Sequence, residues 1–161
     1  MLLAGGCASE AVAPTPSPSL TTLAPPSWPQ QQDLVEIDVG NLARNRFYVD
    51  VATLQVGGDG VVRYVLVVDS TGGARNVTYE GIRCASGEQR VYATGADGEW
   101  SLTPENASVW RPIRKKLRNR HHLVLAQQMF CRDGIIIRDA AAGSEILRAG
   151  GPRDANPLGL P

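Results

Sequence analysis

The chain has 161 residues, with 16 basic and 16 acidic side chains and therefore no net charge. This length suits one domain with its own hydrophobic core and is too short for two. No stretch approaches the roughly 20 consecutive apolar residues of a membrane-spanning helix, so the sequence predicts no such span. The charges are unevenly distributed, because residues 1–105 carry 6 basic and 12 acidic side chains whereas residues 106–161 carry 10 and 4.

The N-terminus resembles the end of a bacterial lipoprotein signal. Cys7 follows a short apolar run that ends in small residues. Secretory signals have a basic region and an apolar stretch of about 7–15 residues, but only six residues, none of them charged, precede Cys7. We therefore expect that the product begins upstream of Met1, that residues 1–7 are a truncated signal remnant, and that Cys7 is the lipidated mature N-terminus. The alternative is a cytosolic chain whose N-terminus happens to be rich in Leu and Gly.

Segments of low hydrophobicity follow Cys7 and end the chain. Residues 8–33 contain six prolines, scattered Ser and Thr and a run of three Gln. Such a segment buries too little apolar surface to fold and prefers extended conformations. We interpret it as a disordered tether and residues 150–161 as a disordered tail. A single globular domain is expected at residues 34–149.

The first half of this domain has the pattern of a β-sheet. Residues 61–69 are apolar on both faces of an extended chain, which predicts a central, covered strand. Turn sequences rich in Gly separate this segment from its neighbours, and connections this short favour antiparallel pairing. The predicted strands are residues 47–56, 61–69, 75–84 and 90–95.

The second half changes to helical patterns. Thr103 and Pro104 have the composition of a helix start, residues 123–130 are predicted to form a buried helix, and residues 135–148 a last helix. The expected fold class is therefore α+β, with a four-stranded antiparallel β-meander followed by C-terminal helices packed on one sheet face. The predicted core comprises Val49, Val62, Tyr64, Leu66, Val68, Val77, Ile82, Trp100, Trp110, Leu123, Leu125 and Phe130.

Two cysteines remain if Cys7 carries lipid, namely Cys84 and Cys131. Two thiols in one small exported domain most simply form a disulfide, so we predict this bond. The alternative is a pair of buried, reduced cysteines. A metal site is disfavoured because the chain has no Cys-x-x-Cys pair and because His121 and His122, being adjacent, would point about 100° apart on a helix. No metal and no cofactor are predicted.

A run of cations is the surface feature that most favours binding. No acid occurs between residues 106 and 132, and such a cluster attracts anionic surfaces. For an exported protein these are lipid headgroups, an acidic envelope polymer or an acidic protein, and not nucleic acid. The alternative is intramolecular, with a basic helix lying over acidic strands and turns of the same molecule. The candidate anion-binding residues are Arg111, Arg114, Lys115, Lys116, Arg118 and Arg120.

Motifs for catalysis are poorly represented. The sequence DSTG at residues 69–72 is similar to an aspartic-protease loop, but one extra residue separates its Asp from its Gly, and there is no second copy to supply the paired carboxylate. The chain lacks the Gly-x-Ser-x-Gly and His-Glu-x-x-His motifs. Glu80 and Arg83 are predicted to form a local ion pair, and the alternative is that they contact a ligand. No catalytic residue is assigned, and the alternative to a non-enzymatic role is a hydrolase of unrecognised type that uses carboxylates such as Asp69 or Glu80.

Six segments spread over residues 34–148 carry a family resemblance: FYVD at 47–50, GGDGVVRY at 57–64, NVTYEGIRC at 76–84, Tyr92, DGEW at 97–100 and Trp110. Together they resemble the cryptic neisserial protein family. The resemblance implies a periplasmic or lipoprotein-like envelope protein of β-proteobacteria and supplies no catalytic residues. With the signal and the tether, it predicts a periplasmic lipoprotein, held at the outer membrane by its lipid, that binds a periplasmic partner or an anionic envelope component.

Overall fold

The computed structural model describes residues 23–40, 43–114 and 120–151. The predicted lipidation site Cys7 lies outside these ranges, as do Lys115, Lys116 and Arg118 of the basic run and the predicted tail beyond Gly151.

An antiparallel meander forms the main sheet. Six strands, β1 to β6, neighbour each other in chain order, and a short strand, β7, pairs with the outer edge of β5. The α+β class and the antiparallel meander are therefore confirmed, whereas the predicted number of four strands is wrong. The strands are β1 (Leu34–Ile37), β2 (Arg46–Val56), β3 (Val61–Asp69), β4 (Arg75–Arg83), β5 (Glu88–Ala96), β6 (Glu99–Leu102) and β7 (Arg111–Pro112).

The strands that the sequence analysis missed are short and lie at the edges. β1 pairs with β2 over four residues, and β6 pairs with β5 over four residues. The turn between β5 and β6 is formed by Asp97 and Gly98, whose φ angles are 52° and 86°. Positive φ at both central residues is what a two-residue type I′ hairpin requires, and Asp-Gly is among the sequences that adopt it.

A helical layer covers one face of the sheet. It consists of α1 (Arg120–Val124), which continues into a π-helical segment (Leu125–Phe130), the hairpin β8 (Cys131–Arg132) and β9 (Ile135–Ile136), and α2 (Ala140–Arg148). The buried helix predicted at 123–130 is confirmed, and it begins slightly earlier than expected.

The other two predicted helix boundaries are wrong. The last helix begins at Ala140 because Asp139 is its N-cap and accepts a hydrogen bond from the amide of Ala142 at 2.8 Å. At Pro104 the chain makes a single turn rather than a helix. The reason is tertiary, since the amide of Thr103 donates to the carbonyl of Tyr92 and the Ser108 hydroxyl donates to the carbonyl of Val91, which hold this loop along β5.

The sheet separates two apolar clusters. Beneath the helical layer, Tyr64, Leu66 and Ile82 pack with Leu125 and Phe130. On the opposite face a second cluster is built around aromatic side chains of the sheet and of the N-terminal segment. Of the twelve predicted core residues, those that are only partly buried are Val68, Trp100, Trp110 and Leu123.

Residues 23–33 lie on this second face, although the sequence analysis placed them in the tether. The indole Nε1 of Trp100 donates to the carbonyl of Pro26 at 2.9 Å, and the rings of Trp28 and Trp100 lie 5.3 Å apart. Gly95 makes room for Trp28, because a Cβ there would come within 2.6 Å of the indole ring. The folded unit therefore includes residues that precede Leu34.

The predicted disulfide between Cys84 and Cys131 is confirmed, with the two Cα atoms 5.1 Å apart. It joins the residue after β4 to the residue that follows the π-helical segment and begins β8, so the helical layer is bonded covalently to the sheet. Among the described residues, no helix has the length and apolar character needed to cross a membrane.

Candidate functional site

A buried carboxylate, Glu80, organises the largest polar cluster beneath the helical layer. Only 3 % of the residue is exposed. Its Oε2 atom accepts a hydrogen bond from the Tyr64 hydroxyl at 3.1 Å and lies 2.7 Å from Nε2 of His122, and its Oε1 atom accepts from the Thr78 hydroxyl at 2.7 Å. Every oxygen of the carboxylate is therefore bonded within the protein.

Strand register and helix position bring these groups together. Tyr64 and Glu80 are paired residues of β3 and β4, and Thr78 lies two residues before Glu80 on the same face. His122 belongs to α1, in the helical layer that covers this face. The preceding histidine, His121, stacks on Phe47 of β2 with ring centroids 4.6 Å apart.

Electrostatics fix the charge of Glu80. Burial raises the pKa of this carboxyl, but the proximity of His122 and the hydrogen bonds from His122 and Thr78 outweigh burial and leave the pKa lowered to about 2. Burial lowers the pKa of His121 to about 4, and the neighbouring His122 adds to that decrease. At neutral pH, Glu80 is therefore ionised and His121 is neutral.

Glu80 lacks the properties of a general acid. A general acid needs a proton at working pH and access to a substrate, whereas Glu80 is ionised and enclosed. The Nδ1 atoms of His121 and His122 are buried and have no hydrogen-bond partner among the described residues. The geometry instead suits a polar contact that fastens α1 to the sheet.

The carboxylates of the predicted hydrolase alternative do not converge. Asp69 lies at the end of β3, where Arg75 donates to both of its oxygens at 2.7 Å, and this bonding lowers the pKa of Asp69. Asp69 is opposite Arg75 in the register, five residues from Glu80 along β4, a separation of about 17 Å. Two carboxylates this far apart cannot share a proton or act on one bond.

The predicted ion pair between Glu80 and Arg83 is wrong. Residues three apart on a strand project from opposite faces, so Glu80 faces the helical layer and Arg83 faces away from it. The Arg83 guanidinium instead lies 3.5 Å from the Glu88 carboxylate and 4.0 Å from the ring centroid of Trp110.

Two cavities bordered by described residues differ in their acids. A cavity of about 170 Å³ beside the disulfide is lined by Ile113, Leu123 and Gln127 among others, with no carboxylate. A second, of about 300 Å³ at β1 and β2, is lined by two acids, Glu36 and Asp38, together with Arg46. The hydrogen bond from Arg46 lowers the pKa of Glu36 and outweighs the charge of Asp38, which raises it, so Glu36 is ionised at neutral pH.

The basic run is only partly described. Arg111 belongs to β7, Arg114 follows it, and Arg120 opens α1, so the run is not one continuous helix. All three side chains are exposed, and none forms an ion pair with a described residue, unlike Arg46 and Arg75 of the sheet. The predicted intramolecular pairing is therefore not seen for the three described members of the run.

A second cationic feature escaped the sequence analysis. Three arginines alternate with two aromatic rings on the face of the sheet that carries residues 23–33, and we refer to them as the arginine–aromatic stack. Their sequence positions, three strands and a loop, share no local pattern that would have predicted the cluster. The stack consists of Arg63, Tyr92, Arg90, Trp110 and Arg83.

Comparison with known proteins identifies the family. The profile of the CNP1-like family matches residues 19–148, which covers the whole described fold up to the end of α2. The chain belongs to the CNP1-like family. No curated protein and no solved structure matches the chain. The matched range begins within the predicted tether, in agreement with the packing of Trp28 on the sheet.

Proposed function

We propose that this CNP1-like chain is a non-enzymatic lipoprotein module of the bacterial envelope that binds an acidic periplasmic partner or an anionic envelope component. In this proposal the chain is of the cryptic neisserial type, Cys7 carries the lipid, and the domain lies in the periplasm at the outer membrane. The observation that carries the proposal is that the described cations of the basic run are not paired with any described acid. Arg111, Arg114 and Arg120 are exposed and have no ion pair with a described residue, whereas Arg46 and Arg75 of the sheet are paired with Glu36 and Asp69.

Unpaired surface cations favour association with an anionic partner. An acid already paired with an arginine offers little additional attraction, whereas three unpaired guanidiniums in one segment raise the local potential. Attraction between exposed charges is screened over about 8 Å at physiological ionic strength. Binding through this run should therefore be electrostatic and weaken as salt is added.

The ordered N-terminal segment limits the reach of the tether. Because Leu23, the first residue that the structure describes, already contacts the sheet, at most residues 8–22 separate Cys7 from the folded unit. Fifteen residues can span at most about 50 Å. The proposed anchor would thus keep the domain close to its membrane, where anionic headgroups and membrane-bound partners are within range.

The experiment measures co-sedimentation with vesicles that contain phosphatidylglycerol, using the full chain with Cys7→Ser so that lipid does not dominate the binding. Arg111→Glu combined with Arg114→Glu should weaken binding at least about tenfold, because each cation near an anionic surface contributes about 1 kcal/mol. Arg44→Glu combined with Arg148→Glu is the matched control, since both residues are exposed and the change in net charge is the same.

The proposal predicts that the control double variant retains most of the binding and that added salt releases the wild-type protein. Equal loss in both double variants would show that only net charge matters and would contradict a role for the basic run. Binding that does not respond to salt would contradict the electrostatic basis.

A further inference from the structure

The arginine–aromatic stack places cations and rings alternately across β3, β4 and β5. The Arg63 guanidinium lies 5.8 Å from the centre of the Tyr92 ring, and the Arg90 guanidinium lies 5.7 Å from the centres of both Tyr92 and Trp110. The Arg83 guanidinium lies 4.0 Å from the centre of Trp110. These distances are within the range of cation–π attraction. The rings therefore help to fix where each positive charge is held.

Arg90 is further positioned by a buried hydroxyl. Its Nε atom donates to Oγ of Ser108 at 3.1 Å, and the Ser108 hydroxyl donates to the carbonyl of Val91 at 2.6 Å. Ser108 is only 2 % exposed. With Nε engaged and two rings alongside, the guanidinium has little rotational freedom, so little entropy would be lost when its terminal N–H groups bind an anion.

The charge of Arg90 is not neutralised within the described structure. Arg63 is bonded to the Asp59 carboxylate, and Arg83 lies 3.5 Å from Glu88, whose carboxylate also accepts a hydrogen bond from Ser86. Arg90 forms no ion pair with any described residue. The stack therefore carries a fixed, partly exposed guanidinium at its centre and a weakly paired one, Arg83, beside it.

Two exposed apolar side chains lie on segments next to these cations. Leu102 is 60 % exposed and is paired with Ala93, three residues from Arg90 along β5, on the face of the sheet that also carries Trp100. Val109, which precedes Trp110 in the sequence, is 44 % exposed. An apolar rim next to fixed guanidiniums fits a ligand that combines carboxylates with hydrocarbon, as a polypeptide does and a phosphate-covered lipid surface does not.

The spacing of the cations fits an extended chain. The guanidinium carbons of Arg83 and Arg90 are within about 10 Å of each other, since both lie against Trp110. Alternate side chains of an extended peptide lie on one face about 7 Å apart. Acidic residues at alternate positions can therefore reach both guanidiniums, each with the bidentate geometry that carboxylates form with Arg.

We propose that the arginine–aromatic stack binds an extended acidic segment of a partner polypeptide, whose carboxylates are held by Arg90 and Arg83 and whose apolar side chains contact Leu102 and Trp110. This inference goes beyond the proposed function, because it names a polypeptide as the partner and places a second recognition surface on the sheet, separate from the basic run.

The experiment titrates the full chain with Cys7→Ser against a short synthetic peptide of alternating Glu and Thr residues, with calorimetric detection. Arg90→Gln should lower the affinity at least about tenfold, because a hydrogen bond to a charged group contributes about 1.5–3 kcal/mol. Arg90→Lys should lower it nearly as much, since Lys keeps the charge but has no planar fork and cannot form the bond to Ser108 in the same way.

Three controls distinguish binding at the arginine–aromatic stack from nonspecific electrostatic attraction. Arg44→Gln makes the same charge change at another exposed position and should leave the affinity within about twofold. Ser108→Ala changes no charge and should weaken binding, because it frees the Arg90 guanidinium. The counterpart peptide of alternating Gln and Thr should not bind. Thermal unfolding of each variant shows that the fold is retained.

The possible results are distinguishable. Equal affinities of Arg90→Gln and Arg44→Gln would overturn the assignment of the stack, while salt-sensitive binding through Arg111 and Arg114 would still uphold the proposed function. Equal loss of vesicle and peptide binding in Arg90→Gln would show a phosphate-binding surface and overturn the choice of a polypeptide. Failure of the wild-type protein to bind either probe would contradict the proposed function itself.

Discussion

At the scale of single residues, the contacts of Glu80 join the two layers of the molecule through one carboxylate. Its partners come from β3, β4 and α1, and nearly all of the residue is removed from solvent. A buried charge is stabilising only while its hydrogen bonds are complete, because removing a partner leaves an uncompensated group. A substitution of Glu80 therefore tests contacts within the sheet and the contact between the sheet and α1.

We expect Glu80→Gln to lower the free energy of unfolding by about 2–4 kcal/mol, since the neutral amide replaces one acceptor by a donor and loses the attraction to His122. Glu36→Gln is the matched control, because the Glu36–Arg46 ion pair is exposed and such pairs contribute about 0–1 kcal/mol. Urea denaturation of both variants measures the difference. Equal effects of the two substitutions would show that Glu80 does not fasten the layers.

His121 should make stability depend on pH. Its pKa is about 4 in the folded protein and 6.5 as the ordinary value, so the unfolded chain binds more protons between these two values. The stability that the folded protein has because His121 is neutral is complete above pH 6.5, and it is lost as the pH falls towards about 4. Glu80, whose lowered pKa acts in the same direction, contributes a further loss between pH 4.5 and about 2.

His121→Phe isolates the first of these effects. Phe preserves the ring stacked on Phe47 and sacrifices no hydrogen bond seen in the structure, since Nδ1 of His121 has no partner among the described residues. We expect the variant to match or exceed wild-type stability at pH 5 and to lose the slope between pH 6.5 and 4 in a series of urea denaturations. An unchanged slope would contradict the assignment to His121.

At the scale of secondary-structure elements, local sequence predicted the central strands well and the edges poorly. β3 begins and ends where its apolar run and the flanking glycine turns indicate, at Val61 and Asp69. Two hairpins were missed although each has an Asp-Gly turn, at 97–98 and at 133–134, with positive φ at both residues. The turn signal was present, but strands of two to four residues have too little alternation to be recognised.

Other elements depend on contacts that a single sequence does not reveal. The loop after Thr103 has the composition of a helix start, yet its hydrogen bonds go to β5, so tertiary structure overrides the local preference. The contact between Glu80 and His122 joins residues 42 apart in the sequence and requires the helical layer to be placed first. The stack around Arg90 likewise depends on β7 lying beside β5.

At the scale of the whole molecule, one sheet is covered on both faces by different means. The helical layer is joined to one face by the Cys84–Cys131 disulfide and the Glu80 cluster, and residues 23–33 cover the other through Trp28. The arginine–aromatic stack lies on this second face, which Leu23 and Trp28 also contact.

The proposed lipid anchor at Cys7 gives the last prediction. Expression of the native gene with radiolabelled palmitate should label the wild-type protein, and Cys7→Ala should abolish the label, because Cys84 and Cys131 are already joined and offer no free thiol. Cys84→Ala with Cys131→Ala is the control and should remain labelled even though loss of the bond destabilises the domain by about 4 kcal/mol. Equal labelling of the wild type and Cys7→Ala would contradict lipidation at Cys7. It would also release the domain from the limit of about 50 Å that residues 8–22 impose, so that any partner of the stack would no longer have to be sought near the membrane.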